Sequence, residues 1–344
     1  MASHLTLTYA AISVIALSLA GAATSTSSAA RPARPVRSSG LLLVANKGDR
    51  TLSVIDPESG QQIAAVPEGG ITGHEVIASP DGTRAFVPIY GNSGVGKPGT
   101  DGQIIDVIDL ATNRVAQTFD FGRGVRPHCI LVGPTDGLLY VTTELDQAIT
   151  VIDPATMKIV GKVPTGQPES HMLAIAHDGK RGYTANVGPG TVSVLDLVAR
   201  KTVTVIPVAT HIQRISISPD QRWAFTSDTL KPRLAAIDLA TNKVAKWIDM
   251  PGTGYGSAST PDGKWLLIAL PDAKAVAVID LATLAVVKTI SVPALPQEVL
   301  VRPDGKVAYV SCDTSHQVAA IDLATWDVKL IEAGNGADGL AWAP

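Results

Sequence analysis

Charge is scarce in this chain of 344 residues: Asp, Glu, Lys and Arg make up 17%, and the net charge is −3. No basic excess draws a nucleic acid, and no acidic tail is present. Aromatic residues reach only 4%, so the stacking platforms that hold single strands are missing too. Two cysteines, Cys129 and Cys312, make no disulfide framework. No G-x-S-x-G, H-E-x-x-H or phosphate-loop pattern occurs, which leaves the reaction classes those motifs carry without a signature. No segment shows sustained helical periodicity. The longest apolar stretch, residues 9–23, is interrupted by Ser13 and Ser18 and is too short and Ala-rich for a membrane span.

That stretch does fit an export signal over residues 1–30, with "STSSAA" offering an A-x-A-like cleavage site. Its leading segment lacks Lys and Arg, so an uncleaved anchor is the alternative. No Cys follows it, which argues against a lipoprotein. Residues 31–40, "RPARPVRSSG", read as a Pro/Arg linker. The expected product is a periplasmic or secreted monomer with no stable membrane span after processing.

From residue 41 onward the chain repeats. An Asp ends an apolar run at Asp56, Asp109, Asp153, Asp196, Asp238, Asp280 and Asp322, with spacings of 53, 44, 43, 42, 42 and 42. Four of these continue as Leu-Ala-Thr. A second turn, Pro-Asp-Gly, stands at Pro80, Pro261 and Pro303, with variants at Pro134, His177 and Pro219. Between the turns lie short Val-, Ile-, Ala- and Thr-rich runs with partial alternation, which are strand signals. Four strands per unit predict an all-β, seven-bladed β-propeller over residues 41–344. Label the strands A to D from axis to rim. The chain starts at a B strand, "GLLLVANKG", and ends at an A-type strand, "DGLAWAP". The C-terminal strand A should therefore join the N-terminal strands B to D and close the ring.

The segments "YTAN" (183–186), "LVAN" (43–46) and "YVTT" (140–143), with the Pro-Asp-Gly and "VIDLAT" turns, resemble the bacterial YVTN-repeat β-propellers across residues 41–344. That resemblance implies the fold. It does not imply one function, since such propellers include binding scaffolds, surface proteins, lactonases and redox proteins.

The site is expected where strand A begins and strand B ends, on the face opposite the regular turns. Six residues before each A–B turn stand His74, His128, His171, Gln213, Tyr255, Gln297 and Asp338. Val76, Ile130, Leu173, Ile215, Ser257, Val299 and Leu340 follow two residues later in the same strand phase. Both sets are expected to face the axis, the first as a polar ring at the channel mouth. Arg126, Glu169 and His211, each two residues before the slot, should lie above it. The first blade's long B–C loop, residues 91–102, should overhang the ring near His74. Three readings stand open. His74, His128 and His171, with His211 as a fourth ligand, could hold zinc, copper or iron. Such a metal would allow a hydrolase, lactonase or oxidase. Arg126, Gln213, Tyr255, Gln297, Asp338 and Glu144 could instead bind a small molecule, with Glu144 also a candidate acid or base. Or the ring only solvates the channel, and the propeller is a scaffold for a protein partner. Arg214, one residue out of phase, is expected to face the sheet interface, and Cys129 to point into blade packing. Asn46, Asn186 and Asp228, at B-strand ends, are expected to cap loop backbone.

Overall fold

The computed structural model describes Met1 and residues 40–344. The expected export signal and all but the last residue of the linker lie outside the described residues. The rest forms seven four-stranded antiparallel sheets. Six of them are consecutive in the chain, and the seventh is built from both ends.

Burial is highest in the B and C strands and lowest at the rim. A B strand such as Leu41–Asn46 is buried at every position, while a D strand such as Arg114–Asp120 is exposed along almost all its length. Blades pack face to face, so inner strands have no solvent side. This explains why the hydrophobic alternation in the sequence is only partial. Six apolar clusters fill the seams between blades.

The repeated turns are held by their own carboxylates. Asp280 Oδ1 accepts the backbone N–H of Ala282 (2.8 Å) and Thr283 (2.9 Å), and Asp322 does the same with Ala324 and Thr325. In the other turn Asp81 Oδ1 accepts the Thr83 N–H, and Asp262 and Asp304 repeat the arrangement. These are Asx turns, which is why Asp recurs there. At the B-strand ends, Asn186 bonds the Thr191, Ser193 and Ser170 hydroxyls, tying strands A, B and C of one blade together. Asn46 adds the expected backbone contact by accepting the Gly334 N–H. Asp228 accepts the Leu230 N–H.

Closure of the ring follows the expected route. Ala337–Ala343 is strand A of the last blade, pairing with Leu41–Asn46 in a register of Leu41↔Ala343, Leu43↔Ala341 and Val44↔Leu340. This same pair contains an irregularity between Val44 and Asn46, with one extra residue on the A strand. The A strands Pro127–Val132, Ser170–Ile175 and Pro296–Val301 carry similar bulges beside the slot. A bulge re-aims the side chains around it, and here it sits at the mouth of the axis.

Candidate functional site

Six slot side chains meet in one partly enclosed axial chamber of about 140 Å³. Its wall includes His74, His128, His171, Gln213, Tyr255 and Asp338, together with Lys47, Tyr90 and Arg214. Ser93, Gly94 and Val95 of the long first-blade loop form the roof.

On one side the wall is a tight aromatic group. The His128 and His171 rings lie 3.5 Å apart between centroids at 31°, and His74 stands edge-on to His128 at 5.4 Å. Tyr90 packs against all three imidazoles at 5.1–5.5 Å. Burial holds all three imidazoles below the usual histidine range, His74 at about 4. The Nδ1 atoms of His128 and His171 and the Ser93 hydroxyl are buried without a hydrogen-bond partner. On the opposite side, Gln213 Nε2 donates to the Tyr255 hydroxyl at 2.7 Å.

Charges gather around the same chamber. Arg214, from the fourth blade, stacks over Tyr255 and reaches Asp338 (3.0 Å), Glu75 (2.9 Å) and Glu298 (3.5 Å) on three other blades. Lys47 bridges Asp338 and Asp313, each at 3.0 Å. Burial pushes the Glu75 carboxyl up, with Glu298 and Asp338 beside it adding to the effect. Burial would also raise Asp338, but Lys47 and Arg214 outweigh it and hold it low.

Glu144 forms the partition between this chamber and an outer pocket of about 350 Å³. Its Oε2 accepts the Tyr90 hydroxyl at 2.5 Å and lies 3.7 Å from His171 Nδ1. Its Oε1 accepts Arg126 Nη1 at 3.0 Å and the Gly96 N–H at 3.3 Å. Burial pushes the Glu144 carboxyl up, but His171, Tyr90 and the Gly96 amide outweigh it and draw it down to about 2. Glu144 is therefore a saturated acceptor and not a poised acid.

Several expected positions differ. Arg126 lines only the outer pocket, and its guanidinium is fully engaged by Asp101, Glu144 and the Lys97 carbonyl. His211 does not join the other histidines: its Nδ1 pairs with Thr229 Oγ1 at 2.6 Å. Gln297 is buried but not part of the chamber wall. The set two residues on from the slot packs into the seams between blades, where Ser257 bonds Ser216 of the preceding blade. Arg214 faces the axis, not the sheet interface. The reason for both departures is geometric. A blade is edge-on to the axis, so strand phase selects which neighbouring blade a side chain leans toward, and the bulges shift that phase at the mouth. Cys129 does pack between blades, with Sγ 3.6 Å from the Leu173 carbonyl, and both cysteines are free.

Lys47, Tyr90 and Asp313 carry a signal that the slot pattern does not contain. Lys47 and Asp313 follow a B-strand end, as Glu144 does after Thr143, and Tyr90 holds the matching place in the longer B strand Arg84–Gly91.

No family model and no curated protein matches the chain. Among solved structures it is similar to Kuenenia stuttgartiensis hydrazine synthase, at 20% identity and TM-score 0.72, covering 84% of this chain and 93% of that one. It is also similar to dihydro-heme d1 dehydrogenase NirN in complex with DHE, at 16% identity and TM-score 0.64, covering 90% and 77%. At such identities the likeness establishes the seven-bladed fold alone.

Proposed function

We propose that the protein is an exported binding propeller that encloses a small polar molecule in its axial chamber. One observation carries this: Ser93 Oγ and His128 Nδ1, on residues that line a cavity of about 140 Å³, are buried without a hydrogen-bond partner. Leaving such groups unpaired costs about 1–3 kcal/mol each, which a ligand with donors and acceptors would recover. The volume matches cavities that take a ligand of roughly benzene's size, about 150 Å³. It is too small for the haem-type ligand named for the NirN complex, since drug-sized ligands already occupy roughly 300 Å³ or more. The export signature in residues 1–30 supports a periplasmic or secreted location, and cell fractionation with the full-length chain tests it. The YVTN-repeat resemblance supports a binding propeller without specifying its ligand.

A bound divalent metal is the second reading, favoured by three imidazoles kept neutral, the form in which histidine ligates zinc, copper or iron. The His128 and His171 rings are stacked on one another, 3.5 Å apart between centroids. Among the described residues no group of three His, Cys, Asp or Glu is placed to hold an ion, so this reading ranks second.

Native mass spectrometry and elemental analysis of protein purified from the periplasm without a metal-binding tag separate the readings. The variant for comparison is His74→Ala/His128→Ala/His171→Ala. A co-purifying small molecule lost from the still-folded variant supports the first reading. Near-stoichiometric metal lost in the same way supports the second. Neither mass in either protein, after metal reconstitution and a screen of small polar compounds, removes both and leaves a scaffold.

A further inference from the structure

We propose that residues 92–100 are a lid over the buried His128 and His171 side of the axial chamber, which lifts to admit a ligand to them, and that Arg126 is its latch. The inference rests on the chamber being a ligand site only for its purpose; the gate itself is tested without any ligand.

The loop divides the two cavities. Ser93, Gly94 and Val95 face the more enclosed axial chamber, while Gly96, Lys97 and Pro98 face the larger and more open outer pocket. The short wall between the cavities is Glu144, which touches the loop on one side and Tyr90 and His171 on the other. A path from solvent therefore leads through the outer pocket, past Glu144, to the histidines once the loop moves.

Few bonds hold the loop to the rest of the propeller, and they concentrate on two residues. Arg126 Nη2 donates to the Lys97 carbonyl at 2.7 Å, while Asp101 at the start of the next strand (2.6 Å to Nε) and Glu144 (3.0 Å to Nη1) hold the guanidinium in place. Glu144 adds the Gly96 N–H. The apolar clusters that bind the blades include none of residues 92–100. The loop thus rests on polar anchors, the kind of segment that opens locally at low cost.

Its ends are fixed in the sheet: Gly91 pairs with Asp101, Gly91 takes φ 113, and a Cβ on Gly102 would fall 1.7 Å from the Ile89 carbonyl oxygen, so any opening is confined to residues 92–100. Arg126 has φ 51, as Glu169 (φ 54) and Leu295 (φ 56) have at the same place in other blades, so its backbone is set by the bulged start of strand A.

Diethyl pyrocarbonate modification followed by peptide mass spectrometry reads the gate on the full chain. His177 and His316 are exposed and serve as internal controls. In the wild type, His128 and His171 should react far more slowly than these two. Arg126→Gln should speed both buried histidines by about tenfold, the size expected for losing the one charge-assisted bond that ties it to the loop at Lys97, with the controls unchanged. Asp101→Asn, which only loosens the guanidinium, should give a smaller acceleration. Unchanged rates at His128 and His171 in folded Arg126→Gln overturn the proposal, as does wild-type His128 reacting as fast as His177. If Arg126→Gln does not fold, Asp101→Asn decides on the same criteria.

Discussion

At the scale of single residues, Arg214 is the side chain whose loss should be felt most. It is the cation shared by Glu75, Glu298 and Asp338 in a region closed to solvent. Arg214→Met leaves those acidic groups facing one another without it. A cost of about 3–5 kcal/mol is expected, measured by urea denaturation at pH 7. Glu68, which accepts the Gly73 N–H outside the chamber wall, offers a pH test. Burial pushes its carboxyl up to about 7, Asp106 adds to the rise, and the Gly73 N–H opposes it at 2.7 Å. The unfolded chain releases this proton near pH 4.5 while the folded protein keeps it to about 7. Stability from this group is therefore highest below pH 4.5 and falls as pH rises through that window. Glu68→Gln should remove the fall, gaining on the order of 1–2 kcal/mol relative to wild type at pH 8 and little at pH 4.5. Equal differences at both pH values would contradict it. The two thiols should stay silent: burial raises both Cys129 and Cys312, so neither alkylates at pH 7.5 until the protein unfolds.

At the scale of the element, the first-blade loop and the bulged A strands decide the site. Replacing residues 92–100 with a two-glycine connection should leave the melting temperature within a few degrees of wild type. The loop adds no apolar core, but its loss unroofs His128 and His171 to diethyl pyrocarbonate. A collapse of the fold would show that the loop is structural. The elements also show what the sequence could and could not disclose. His74, His128 and His171 were legible because each is the same position of a repeat, and a repeat exposes its slots. The turns were legible because their Asp residues act on backbone within three positions. Arg214 was not, because the rule of alternation assumes an unbroken ladder and strand A is broken beside the slot. Tyr90 and Lys47 were not, because they hold a matching place at the end of the B strands, where chemistry differs from blade to blade. Arg126 was read as a ligand contact, but its partners Lys97 and Asp101 come from a loop and from the strand start that follows it, a path no local pattern specifies.

At the scale of the whole molecule, the ring stands or falls with its last blade. Deleting residues 337–344 leaves Leu41–Asn46, buried at every position, without its inner neighbour. The expected outcome is loss of the cooperative melt and a shift to aggregates on size-exclusion chromatography. A truncated chain that stays monomeric with an unchanged melt would show that the ring does not depend on closure. The fold was legible at this scale because the first and last strands were each recognisable as part of a blade that neither completes alone. That seam also has a direction. Its strands are antiparallel and pair Leu41 with Ala343, so both chain ends leave from the same end of the ladder. A force pulling those ends apart meets the hydrogen-bonded pairs one at a time instead of all together. The protein should resist heat as a ring yet part like a zip fastener under tension, the seventh blade opening first while the other six remain intact.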